Sequence, residues 1–165
     1  MIIIYEIMRL YTSTFDNFSK IPGNIICIGI TNNFPEYLKT TTISNFLYTP
    51  NSILAPEYEI IGMTTNSYFA EKYVQKINDG IKDLGFYSIH QYFSEMITSF
   101  ENNYQGICFL SSQDSDVFSH RTVFRELLKS IGYQIQEYDP DTNNKIINEF
   151  SEVKTKDKVK TMALF

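Results

Sequence analysis

Apolar positions along this chain follow two alternating patterns. Short β-rich runs occur at "MRLYT" (8–12), "NIICIGIT" (24–31) and "GICFLS" (106–111), each ending in polar residues. The second run is apolar on both phases of its alternation, as a central strand covered on both sides requires. "YQIQEY" (133–138) alternates instead and predicts a last, half-buried strand. Between these lie stretches of helical period. Phe69, Tyr73, Ile77 and Ile81 recur every fourth residue in "TNSYFAEKYVQKINDGIKDLG". Thr65 or Asn66 can cap that helix, and Gly80 and Gly85 mark its end. Ser88 opens a second helix with Gln91 in the capping-box position and Ile89, Phe93, Met96, Ile97 and Phe100 on its apolar face. A third runs from Ser119 or His120 to Ile131, with Val123, Phe124, Leu127, Leu128 and Ile131 inward and Gly132 as the residue after its end.

The intervening segments are less regular. After the first strand comes a loop, Thr12–Asp16, with Phe15 and Phe18 suited to a short helical turn, and "KIPG" then turns the chain. Residues 32–64 show no clear period and read as an irregular crossing, either functional or built from short elements that patterns miss. "DPDTNN" closes the core. The order strand, strand, helices, strand, helix, strand predicts an α/β fold: a single-domain, Rossmann-like sandwich with a mainly parallel sheet. We divide it into an N-terminal extension (1–7), an α/β domain (8–150) and a lysine-rich, mobile tail (151–165). Met8 is an alternative start. Residues 145–165 carry at most one weak helix.

Composition narrows the function classes. The chain has 165 residues, enough for one ordinary core, and is 43% hydrophobic. A net charge of −5 disfavours a general nucleic-acid binder, since phosphate neutralisation needs clustered Lys and Arg. The N-terminal run is interrupted by Glu6 and Arg9 and has no cationic leader, so neither a signal peptide nor a membrane span is expected. We therefore expect a soluble, cytoplasmic protein without a membrane partner. Cys27 and Cys108 both sit inside apolar runs, which predicts buried free thiols. His90 and His120 lack any matching cysteine spacing, so neither metal nor cofactor is expected.

Candidate chemistry gathers at "SHR", Ser119–Arg121, where a strand has ended and a helix begins. Parallel α/β sheets place their sites beyond the carboxyl ends of the strands. The loops after the first strand and after "GICFL" qualify best. A helix N-terminus offers backbone N–H groups without intrahelical partners and about half a positive charge. Arg121 adds a planar fork for phosphate or carboxylate, and His120 can donate a proton or orient Ser119. Together these make an anion cradle. Each residue also has a plainer role. Ser119 can be only an N-cap, His120 a surface or capping group, and Arg121 and Arg125 a solvated face pairing with Asp114, Asp116 or Glu137.

The chain resembles the DUF488 family, small bacterial, archaeal and phage-encoded proteins named for their lack of an assigned function. The resemblance runs through "LYTSTFDNFSKIPGNIICIGIT" (10–31), "FPEY" (34–37), "LAP" (54–56) and "FLSSQDSDVFSHRTVFRELL" (109–128). It covers most of residues 8–138 and rests on the order and spacing of these pieces. The family pattern has one cysteine at the end of the strand and another before His-Arg. Here Ser111 and Ser119 stand at those positions, while His120 and Arg121 are kept. A thiol near such a helix start ionises near neutrality; a serine hydroxyl needs an adjacent base. Whatever thiolate, redox or thiol–metal chemistry the family performs there is expected to be lost here, while the anion-cradle reading survives the replacement.

Two readings follow. In the first, the protein is an enzyme acting on a nucleotide, nucleobase or other phosphorylated metabolite. Ser119 and His120 are then its catalytic residues. Arg121, Ser111, Gln113, Thr12, Ser13 and Tyr37 bind the ligand, and Asp114 and Asp116 are candidate acids. In the second, a catalytically degenerate module binds a small anionic ligand or a protein at the same place, with Phe34, Tyr37, Phe46, Tyr48 and Tyr58 as stacking or partner surface. Nucleic-acid binding through the lysine tail is a third, less favoured possibility.

Overall fold

The structure, a computed structural model, describes residues 8–32, 35–36, 38, 45–47, 53–56, 66–112 and 119–144. Strand β1 (Arg9–Thr14) runs into a 3-10 helix (Phe15–Lys20), followed by β2 (Ile25–Gly29) and the two-residue β3 (Phe46–Leu47). Helices α1 (Asn66–Asp83) and α2 (Ile89–Phe100) lead to β4 (Gly106–Ser111). Helix α3 (His120–Ser130) and β5 (Ile135–Glu137) follow.

All strand pairs are parallel, and the sheet order is β3-β2-β4-β1-β5. The expected α/β sandwich on a parallel sheet is what forms. Helix α3 connects β4 to β5, strands that lie on either side of β1, so its first turn stands at the carboxyl ends of β4 and β1. No helix among the described residues is long and apolar enough to cross a membrane.

Alternation along the strands explains the two cores. Leu10, Ile26, Ile28, Ile107, Phe109 and Ile135 face the helices and bury Tyr73, Ile77 and Ile81 of α1, Phe93 of α2, and Val123, Phe124 and Leu128 of α3. Three rings weld α2, β4 and α3 together. Phe109 and Phe124 have centroids 4.7 Å apart, and Phe93 stands 5.7 Å from Phe124 and 6.4 Å from Phe109. On the opposite face Tyr11, Cys27, Cys108 and Leu110 pack with Phe15, Ile21, Leu38 and Tyr138. That β2 is buried throughout agrees with its doubly apolar pattern.

Several boundaries differ from the sequence expectation. The loop expected at Thr12–Asp16 is strand as far as Thr14 and then 3-10 helix. Helix α1 does not stop at Gly80 but passes through it. The glycine is there for close approach: a Cβ would come within 2.8 Å of the Ile53 Cγ2. Gly132, at φ 99°, ends α3 as expected, with Tyr133 N–H donating to the Leu128 carbonyl at 3.0 Å. At α2 the Ser88 Oγ accepts from Gln91 N–H at 3.1 Å, while the Gln91 side chain accepts from Tyr87 N–H at 2.8 Å. The expectations for Thr65, Phe34, Tyr37, Tyr48, Tyr58, Gln113, Asp114 and Asp116, and for residues 1–7 and 145–165, lie outside the described residues.

The ring cluster gives the first test. Phe124 is fully buried, so Phe124→Ala is expected to lower unfolding free energy by about 3–5 kcal/mol in urea titration. Phe18→Ala, at a half-buried ring on the other face, is expected to cost less than half of that.

Candidate functional site

Helix α3 opens with a well-formed cap. Ser119 is extended (φ −147°, ψ 171°), and its Oγ accepts from Arg121 N–H at 3.2 Å. The Ser119 carbonyl accepts from Thr122 N–H at 3.0 Å and Val123 N–H at 3.3 Å. The row of open amide donors expected at this helix mouth is thus largely closed by its own first residue. Ser119 is buried, and its described role is structural.

Arg121 is fully buried, the largest such side chain among the described residues. Its phase on the helix explains this: it precedes Phe124 by three residues and Leu128 by seven, so it points where they point. The guanidinium turns into the protein. Nη1 donates to the Ser111 Oγ at 2.5 Å, and Nε lies 3.1 Å from the Glu137 Oε1. One turn on, Arg125 Nη1 donates to the Thr12 Oγ1 at 2.9 Å and also pairs with the Glu137 carboxylate. Thr12 Oγ1 donates in turn to the Glu137 Oε2 at 2.6 Å. Of the plainer reading of these arginines, the pairing with Glu137 holds, while the solvated face is corrected: both side chains turn inward to that one carboxylate. Because Thr12, Ser111 and Glu137 come from three strands, the cluster ties α3 to the carboxyl ends of β1, β4 and β5.

Thr12 and Ser13 do not act together. Consecutive strand residues point to opposite faces, and Ser13 instead accepts from the Asn17 Nδ2 at 3.0 Å. Among the described residues no hydrogen bond joins Ser119 to His120. Adjacent helical residues do not face each other, so the imidazole leaves the serine behind.

His120 is buried, its ring edge-on to Tyr73 at 5.7 Å between centroids and 80° between planes. Burial pushes its pKa down from 6.5 to about 4; the Ile30 carbonyl, accepting from the ring, opposes this, and the positive charges of Arg121 and Lys76 reinforce it. The imidazole is neutral at pH 7. Its Nε2 is sealed from solvent and has no hydrogen-bond partner among the described residues.

Leu54-Ala55-Pro56, buried throughout, is anchored by Tyr73, which also packs on His120. Its three successive carbonyls are all held by side chains: Tyr73 OH donates to Leu54, Lys76 Nζ to Ala55, and the Asn32 Nδ2 to Pro56 at 2.7 Å. This strap, Tyr73, Lys76 and Asn32 were not identified as site residues from sequence. Glu137 was legible in part. It occupies the same strand phase as the inward Ile135, and a charge in that phase needs a partner.

Cys27 and Cys108 are buried free thiols, in register on neighbouring strands, and burial together with Cys27 pushes the Cys108 thiol well up. Neither belongs to the site. Among the described residues no cluster of His, Cys, Asp or Glu is arranged to hold a metal.

Two predictions follow. Glu137→Gln leaves a buried guanidinium short of its counter-charge and is expected to cost on the order of 2–3 kcal/mol, less than the roughly 3–5 of a fully buried pair, because the carboxylate is partly exposed. Glu126→Gln, which breaks the exposed pair with Lys129, is expected to change urea-unfolding stability by less than about 0.5 kcal/mol. The second concerns pH. A histidine whose folded pKa lies below its unfolded value binds fewer protons when folded, so stability falls as pH drops. His120 contributes its full share above pH 6.5 and loses it progressively toward about pH 4. The difference between wild type and His120→Asn in unfolding free energy, measured from pH 7 to 4, is expected to shift across that window and to be flat above it.

No protein-family model, curated protein or solved structure matches this chain.

Proposed function

We propose that this DUF488-like protein is a cytoplasmic binding module for a small anionic ligand of the nucleotide or phosphorylated-metabolite class. The ligand sits over the carboxyl ends of β1, β2 and β4, against the first turn of α3. One observation supports the reading: among the described residues cations outnumber carboxylates at those strand ends, where Arg121 and Arg125 share the single carboxylate of Glu137 and Lys76 adds to the positive field at His120. In a parallel sheet this is where ligands collect. The cap has narrowed the amide contribution, so side-chain cations supply most of the attraction.

Binding is favoured over turnover by what the two serines do. Ser111 is held by Arg121, and Ser119 caps the helix without a described bond to His120. A serine nucleophile needs a base within hydrogen-bond reach. An imidazole with a pKa of about 4 is also a weak base at neutral pH. The replacement of the family's two cysteines by hydroxyls fits a member that has kept the pocket and given up thiol chemistry.

The test is a thermal-shift and calorimetric screen with inorganic phosphate, nucleoside monophosphates and sugar phosphates. A ligand at a hundred times its Kd stabilises by about 2.7 kcal/mol, so a rise in Tm is expected with at least one phosphorylated compound. Lys76→Met is expected to weaken that binding at least severalfold. Failure of every phosphorylated compound to bind, or equal binding by the variant, would contradict the proposal. Ser119→Ala separates binding from catalysis. As a lost N-cap it is expected to cost about 1 kcal/mol of stability with ligand affinity unchanged. If it abolished product formation by a turning-over protein, the enzyme reading would hold instead.

A further inference from the structure

The turn between α1 and α2 holds an exposed aromatic residue in a fixed place. Gly85, at φ 92°, ends α1: its N–H donates to the Lys82 carbonyl at 2.9 Å, and Phe86 N–H donates to the Ile81 carbonyl at 3.2 Å. The Phe86 ring packs edge-on against Tyr92, 5.2 Å between centroids. Tyr87 follows, its N–H donating to the Gln91 Oε1 at 2.8 Å while Ser88 caps α2. The backbone on both sides of Tyr87 is thus pinned. Yet Tyr87 is 92% exposed, and Leu84 on the same turn is 60% exposed.

Beside this knob lies a groove of about 330 Å³. Ile81 of α1, Ile89 of α2 and Ile131 of α3 line it, together with Lys82, His90 and Tyr87 itself. His90 is stacked on Tyr133, 5.5 Å between centroids, so that wall is held as well. Single exposed apolar residues are ordinary on a protein surface. A tyrosine on a fixed backbone at the rim of an apolar hollow is instead the arrangement of an interface anchor, because little freedom is lost when it is buried.

The occupant follows from symmetry and charge. Knob and hollow belong to one patch, so two copies about a twofold axis can each seat Tyr87 in the other's groove. The net charge of −5 works against self-association, but this patch carries both signs. Asp79 and Lys82 are neighbours one turn apart on α1. Neither makes an ion pair among the described residues. Across a twofold axis each Lys82 can face the other copy's Asp79.

We propose that this face is a homodimer interface, closed by reciprocal insertion of Tyr87 against Ile81, Ile89 and Ile131. One turn and one groove per copy place it at the low end of the roughly 1,200–2,000 Å² that stable interfaces bury. The dimer is accordingly weak.

Sedimentation velocity of the full-length protein over a concentration series is expected to show a monomer–dimer equilibrium with a Kd on the order of tens of micromolar. Tyr87→Ser is expected to raise that Kd about tenfold or more. Lys82→Glu and Asp79→Lys are each expected to weaken self-association. An equal mixture of those two variants is expected to form heterodimers, since opposite charges then face each other at both contacts. Tyr87, Lys82 and Asp79 are all exposed, so the variants leave the core intact, and unchanged urea-unfolding midpoints of the monomers check this. A wild type that stays monomeric throughout, a dimer that survives Tyr87→Ser, or a mixture that associates no better than its components overturns the proposal.

Discussion

The Arg121 guanidinium, buried between Ser111 and Glu137, is the constraint on which the site end of this fold depends. A guanidinium without solvent is costly unless its charge and its donors are met. Here a carboxylate from β5 and a hydroxyl from β4 meet them. Arg125 and Thr12 complete the arrangement from α3 and β1. The cluster fixes where α3 begins, and with it the position of His120 on the same turn. It is a frame for the site. The arginine that looks from sequence like a ligand hook is also the bolt of that frame.

The stretch Leu54-Ala55-Pro56 is held comparably through Tyr73, which also packs on the imidazole. Three consecutive carbonyls satisfied by Tyr73, Lys76 and Asn32 make a rigid wall from a stretch with no regular structure. Buried irregular backbone needs such partners for every polar group. Lys76 thereby links this stretch to the electrostatics around His120. One ammonium both holds a carbonyl and raises the local potential at His120.

Much of the framework was readable from the sequence because its elements obey a single period. The β2 and β4 runs, the four-residue spacing of α1, the Ser88 cap and the Gly132 stop all follow from local chemistry. The boundaries that moved did so for tertiary reasons. β1 continues to Thr14 because Ser13 and Thr14 pair beyond the apolar run with Leu110 and Ser111 of β4, and helix α1 crosses Gly80 because Ile53 packs against it. Strand β3 is only two residues long, too short to give any period. In the site, Ser119, His120 and Arg121 were rightly placed at a helix opening above the strand ends. Their division of labour was legible only in part: Glu137 stood among the candidate partners of the arginines, but local pattern does not say that it reaches across from β5 in preference to Asp114 or Asp116. The separation of Thr12 from Ser13 was implicit once both belonged to a strand.

The frame is tested most directly by a double-mutant cycle on Arg121→Met and Glu137→Leu, read by urea unfolding. Glu137→Leu alone strands the buried Arg121 charge, which the double variant removes, whereas the partly exposed Arg125 loses its carboxylate in both and so cancels from the cycle. The account predicts a coupling of about 2 kcal/mol or more, with the double variant losing clearly less stability than the sum of the two singles. Losses that add to within about 0.5 kcal/mol would show that the two side chains do not act as one unit, and the position assigned to His120 would lose its support.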